Sequence, residues 1–167
     1  MLSERVYQRE KPKEIQMYYL KRKPHKPKEG VKERKPSTAA LVRKLDRTFS
    51  EYVRLRDSKP FGYKYFRCIS CGQIKPYDQM DCGHFIGRMH MATRFDEQNC
   101  NGECRVCNRF SPDHMIYYQR NLELKIGKDK VDLLIAKGRQ TKKWSAFELE
   151  LLIKYYTERV KEMKDDT

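Results

Sequence analysis

The 167-residue sequence predicts a mainly helical α+β protein with a small metal-stapled core. Three observations predict it. Apolar residues recur at helical spacing over residues 38–57 and again beyond residue 111. Two Cys-x2-Cys pairs, Cys68/Cys71 and Cys104/Cys107, bracket the middle of the chain. Around them, from Tyr65 to Asn108, aliphatic side chains are too few to hold the segment together by burial, so a metal ion is the expected staple.

Taken in order, residues 1–36 form a basic arm. They hold twelve Lys/Arg, five Glu and four of the seven prolines. A stretch such as Lys21-Arg22-Lys23-Pro24-His25-Lys26 buries too little surface to offset its ordering entropy. A DNA-gripping arm and a plain solubilising tail are equal readings. Over 37–64, Leu41, Leu45, Phe49, Tyr52 and Val53 recur at three- and four-residue steps behind Ser37, a candidate N-cap, and Pro60 and Gly62 end the run. The core region, 65–110, is short and irregular, with strands expected at Tyr65-Phe66-Arg67 and His84-Phe85-Ile86. From 111 to 167 the chain returns to helix. Ser111-Pro112-Asp113 reads as a helix start and Gly127 as its end. A short helix follows over Asp129–Lys137 and stops at Gly138. Ser145-Ala146-Phe147-Glu148 has the capping-box pattern, opening a helix with Leu149, Leu152, Tyr156 and Val160 on one side and Met163 near its end.

The formal net charge is +14 and the pI about 9.5. Such an excess draws polyanions, and nucleic acid is the expected partner. No apolar run approaches the roughly 20 residues that span a bilayer. The N-terminus lacks the apolar stretch of a secretory signal, so the expected location is a bacterial cytoplasm, where thiols stay reduced. The six cysteines therefore read as metal ligands before disulfides. Four thiolates from two tight turns give a closed tetrahedral Zn²⁺ site, which is structural and does no chemistry. Cys82 and Cys100 fall outside the pairs; they read as small apolar residues beside that site, with ligand exchange as the alternative.

Between the pairs lie Asp81-Cys82-Gly83-His84 and Arg94-Phe95-Asp96-Glu97-Gln98-Asn99, and Asn108 follows Cys107 directly. A histidine between two knuckles, an asparagine five residues before the second knuckle's first cysteine and another right after its last resemble the ββα-metal core of HNH nucleases, in particular endonuclease VII-type resolvases. The segments at 68–72, 81–84, 94–99 and 104–108 more closely resemble the NinG/Rap recombination proteins of lambda-like phages, over roughly residues 40–164.

That resemblance implies a zinc-stapled, treble-clef-like core wrapped by helices and cleavage of branched DNA such as Holliday junctions and D-loops. Recombination proteins are possible partners, and a two-fold symmetric junction suits a homodimer. Hydrolysis needs a proton acceptor and charge neutralisation at the phosphate. His84 is the candidate base; a zinc ligand or a core histidine are the alternatives. Asn99 would orient His84, or merely close a turn. Asp81 and Asn108 are candidate oxygen ligands for Mg²⁺ or Mn²⁺, or simply caps. Arg88, Arg94, Arg105 and Arg109 are candidate DNA contacts. His90 and His114 are runners-up for metal binding, His114 being expected in solvent. Gly83 stands where many HNH nucleases carry a metal-binding residue. This favours the alternative of a non-catalytic zinc module that binds DNA or recruits partners.

Overall fold

A computed structural model describes residues 35–165, so the basic arm falls outside the described residues except for its last two. Helix α1 (Thr38–Ser58) begins where the sequence predicts: Ser37 is its N-cap, and the Ala40 N–H donates to Ser37 Oγ at 3.2 Å. Its stripe of Leu41, Leu45, Phe49, Tyr52 and Val53 is buried. A 3₁₀ turn at Lys59–Phe61 closes it, and Gly62 takes the left-handed conformation.

Two small antiparallel hairpins follow. In the first, β1 (Tyr65–Arg67) pairs with β2 (Ile74–Pro76). In the second, β3 (Met80–His84) pairs with β4 (Cys100–Cys104). The expected strand at 84–86 is displaced: β3 ends at His84. The reason is Asn99, whose main-chain carbonyl accepts from Phe85 N–H and whose side chain holds both main-chain groups of Ile86, turning the chain out of the ladder.

Helix α2 (Arg105–Phe110) springs directly from β4. Helix α3 (His114–Ile126) starts later than expected, with Asp113 at its cap position and no side-chain cap bond, so Pro112 lies before the helix and not in its first turn. Gly127 ends α3 at φ 90°, and α4 (Lys128–Gly138) follows. Helix α5 (Ala146–Asp165) opens on the predicted box: Ser145 N–H donates to Glu148 Oε2 at 2.8 Å and Glu148 N–H to Ser145 Oγ at 3.2 Å. None of the described helices is long and apolar enough to cross a membrane.

The main core lies between α1 and α5, where Leu45, Phe49 and Val53 meet Leu149, Ile153 and Tyr156. Ile153 fills the place expected of Leu152, which is only partly buried. A second cluster joins Phe66 and Met80 to Cys68, Cys104 and Cys107. A third packs α3 on α4 through Tyr118, Leu122, Val131 and Leu134. Asp57, at the end of α1, ties the helical core to β4: its carboxylate accepts from Gly102 N–H at 2.7 Å and pairs with Arg56.

Candidate functional site

The sulfurs of Cys68, Cys71, Cys104 and Cys107 all lie within 4.8 Å of one another. Local geometry explains why. The first pair sits in the tight turn between β1 and β2, where Gly72 N–H donates to Cys68 carbonyl at 2.9 Å and Gly72 adopts φ +70°. Cys104 ends β4, and Cys107 lies one turn into α2. The Cys104 N–H donates to Cys68 Sγ at 3.3 Å, joining the two turns. Burial pushes the Cys68 thiol up to about 11 and that of Cys107 higher still. At Cys71 burial acts upward too, but the Gln73 N–H and the three neighbouring thiols outweigh it and bring the thiol down. Ionising the whole set therefore needs a cation, and four soft donors in this arrangement fit a tetrahedral ion such as zinc.

The register of β3 and β4 sorts the remaining candidates onto two faces. Asp81 stands opposite Glu103, and Gly83 opposite Asn101. These four share one face, since directly paired residues point the same way and alternate along the strand. His84 opposite Cys100, and Cys82 opposite Gly102, share the other.

Asp81 and Asn108 do come together: Asn108 Nδ2 donates to Asp81 Oδ2 at 3.0 Å. Arg109 grips both oxygens of the same carboxylate, at 2.7 and 2.8 Å. Burial acts to raise Asp81, but these donors more than offset it and hold the carboxyl below its usual range. A polar cleft of about 200 Å³ opens here, lined by Asp81, Asn108, Arg54, Arg88 and Arg109 together with Cys82. Three guanidinium groups face one carboxylate, so the cleft suits an anion.

His84 is half buried. Its Nε2 lies 3.1 Å from the Arg94 carbonyl and its Nδ1 3.3 Å from the Cys82 carbonyl. Burial, followed by the charge of Arg88, lowers its pKa below the ordinary histidine value. It is thus neutral at pH 7. Asn99 touches neither ring nitrogen. Its amide holds Ile86 and Thr93 main-chain groups, so it fixes the loop after His84 and acts on the ring only through the backbone.

The arginines divide. Arg94 is committed to Asp46 in a fork of 2.9 and 2.6 Å. Arg109 is committed to Asp81 but half exposed. Arg88 and Arg105 are exposed. His90 Nδ1 lies 2.9 Å from the Gly138 carbonyl. His114, expected in solvent, is instead largely covered, with Nδ1 2.8 Å from Glu103 Oε1. The reason is Glu103 itself, a fully buried acid that draws the imidazole inward and also accepts from Ser70 Oγ. Cys82 and Cys100 are buried, as expected of small apolar residues, and pack into the α1–α5 core, whereas Cys68, Cys104 and Cys107 belong to a separate cluster.

The family profile described as bacteriophage lambda NinG protein matches residues 3–166. The chain belongs to the NinG family. Among its NinG relatives, the ninG protein of Escherichia phage 933W is 27% identical over 127 residues, that of Salmonella phage P22 28% and that of Escherichia phage lambda 26%. Each alignment takes in 74% of this chain, which spans only 57–58% of those relatives' length. No solved structure matches.

In this NinG chain, two site residues escaped sequence reasoning. Arg54 enters the cleft from α1, lies over the Tyr77 ring and keeps a buried Nε without a hydrogen-bond partner among the described residues. It carries no motif, and only its half-turn offset from the buried stripe of α1 could have pointed to it. Glu103 explains Gly83. A Cβ at 83 would lie 2.3 Å from Glu103 Oε2, so the space a side chain at this position would take is filled by an acid from the neighbouring strand.

Proposed function

We propose that this chain is a metal-dependent endonuclease of the HNH type that cuts branched DNA intermediates of phage recombination, such as Holliday junctions and D-loops, in the host cytoplasm. The observation that carries the reading is the arginine-lined cleft in which Asp81 and Asn108 meet, with the neutral His84 leaving the other face of the same hairpin. Cys68, Cys71, Cys104 and Cys107 hold Zn²⁺ as a structural ion. Asp81 and Asn108 would offer oxygen ligands to Mg²⁺ or Mn²⁺ once Arg109 turns from the Asp81 carboxylate to the phosphate, and the ion would neutralise charge on the phosphate and on the leaving oxygen.

The chain's own residues do the rest. In the neutral His84 tautomer with Nε2–H donating to the Arg94 carbonyl, the lone pair sits on Nδ1 and can take a proton from water. The Asn99 amide keeps the loop that supplies this carbonyl in place. Arg54 and Arg88 receive the phosphate. Arg109 is fork-bound to Asp81, and a phosphate is an equally good partner for its guanidinium. Arg105 extends the contact along the backbone, whereas Arg94, locked to Asp46, positions the loop and not the DNA. Two copies would match a two-fold symmetric junction.

The test is cleavage of a labelled four-way junction beside matched linear duplex, in Mg²⁺ and in EDTA. Metal-dependent cutting of the junction, lost in His84→Ala with junction binding retained, is the expected result. One observation favours a second reading, a non-catalytic zinc module that binds DNA or recruits recombination proteins: Gly83 cannot carry an acid because Glu103 fills its space. Tight binding with no cutting in either metal would establish that reading instead.

A further inference from the structure

We propose that Cys82, His84 and Cys100 form a second metal site, distinct from the four-cysteine site, that takes a soft divalent cation of the zinc class and holds the proposed nuclease centre inactive while occupied. The binding part stands on geometry alone; the regulatory part rests on the reading of His84 as the base.

The site is built by strand register. His84 stands opposite Cys100, and Cys82 lies two residues back on the same strand, so all three side chains leave one face of one hairpin. One donor atom from each lies within 4.8 Å of the other two, the same criterion that the four-cysteine group meets. Tetrahedral zinc with bonds of about 2.3 Å to sulfur and about 2.0 Å to nitrogen separates its ligands by roughly 3.5 Å. Small rotamer adjustments therefore close the triangle. A fourth oxygen stands at its edge: the Arg94 carbonyl already lies 3.1 Å from His84 Nε2 and accepts from Cys100 Sγ at 3.7 Å.

Charge and burial fit as well. Cys82 and Cys100 are buried among Leu45, Phe95 and the other residues of the helical core, while half-buried His84 forms the open side. An isolated ion is very costly in such surroundings. Two thiolates and a neutral imidazole around a divalent cation make a complex with no net charge, which such a core can hold. Hard ions such as Mg²⁺ prefer oxygen ligands and are turned away by the sulfurs. The two faces of the hairpin thus sort metals: oxygen donors on the Asp81 side, sulfur and nitrogen on the His84 side.

The consequence follows from one lone pair. A metal needs a neutral imidazole nitrogen, and so does a general base. With the ion bound, His84 cannot accept a proton from water, and cleavage stops.

The measurement is metal content of the purified full chain by mass spectrometry, with cobalt substitution read by its sulfur-to-metal absorption. Two ions per chain are expected in the parent, falling to one in Cys82→Ala/Cys100→Ala and in His84→Ala, with the four-sulfur cobalt spectrum kept. One ion per chain in the parent overturns the site, whatever the variants do. A disulfide between Cys82 and Cys100 in protein handled without oxidant overturns it too. The regulatory arm first treats the protein with a mild chelator until one ion per chain remains, then compares junction cleavage in Mg²⁺ with and without one added equivalent of zinc. A drop of at least tenfold in the parent, absent in the double cysteine variant, supports it; equal inhibition of both overturns it. If no condition gives cleavage, the nuclease reading fails and the ion count still decides the site.

Discussion

Along α1 and α5 the interior is carbon: Leu45, Phe49, Val53, Leu149 and Tyr156 interlock, with aromatic rings meeting edge to face at 4.9 to 5.9 Å. Around the hairpins it is Phe66, Met80 and three buried sulfurs. The first region can reach close packing with its own side chains. The second has too few, and its four clustered thiols need a cation to ionise together. The same chain therefore contains one part whose order rests on apolar burial and one whose four thiols are arranged to take an ion. The difference teaches where each kind of perturbation will act.

The largest expected effect is metal removal. A chelator strong enough to strip the four-cysteine site, or Cys104→Ser, should cost most of the binding free energy of a structural zinc, on the order of 10 kcal/mol. Hydrogen exchange should show protection lost over 65–84 and 100–110 while α1 and α5 keep theirs. Uniform loss along the chain would mean that the two regions are one cooperative unit and the comparison is wrong. Phe49→Ala is the converse. It removes a fully buried ring that contacts Tyr52, Phe95 and Tyr156. Denaturant unfolding should show a loss of about 3–5 kcal/mol, with metal content unchanged.

Asp57 joins the two regions, so its removal should be felt by both. It accepts from Gly102 N–H and Arg56, and Lys125 Nζ lies 3.6 Å away. Burial acts to raise its pKa, but Arg56, Lys125 and the Gly102 N–H outweigh that and lower it. A carboxylate lowered in the folded state stabilises the protein above its unfolded pKa of about 3.9 and stops doing so as pH falls through the folded value. Asp57→Ala should cost about 3 kcal/mol at pH 7 by leaving Arg56 without its partner. The gap between parent and variant should narrow below pH 4. A gap independent of pH down to acid unfolding would show that Asp57 acts by packing and not by charge.

The helical region was largely legible in the sequence. The spacing from Leu41 to Val53, the Ser37 cap, the Ser145–Glu148 box and the stops at Gly127 and Gly138 are local signals, and local physics decides them. The four-cysteine cluster was legible because knuckle spacing encodes its geometry. What the sequence hid depends on contacts between distant residues. The early end of β3 needs Asn99, thirteen residues beyond Ile86. The burial of His114 needs Glu103 across the hairpin. The commitment of Arg94 needs Asp46 on α1, and the meeting of Cys82 with Cys100 needs the strand register. A formal charge on an arginine says nothing about which carboxylate takes it.

The smallest effect sharpens the comparison at one atom. Gly83 has the same relation to Glu103 that a ligand has to a filled socket: its missing side chain is what makes room. A Cβ at that position would lie 2.3 Å from Glu103 Oε2 and 2.8 Å from Glu103 Cβ. Glu103 cannot simply swing away, because Ser70 and His114 hold its other oxygen and no solvent reaches it. Gly83→Ala should therefore destabilise by about 1–3 kcal/mol, as overpacking does. Gly83→Ala combined with Glu103→Ala should recover part of that loss, because the second change removes the carboxylate contact and leaves only the one to Cβ. Additive losses in the double variant would mean that the Glu103 carboxylate is not what excludes a side chain from position 83.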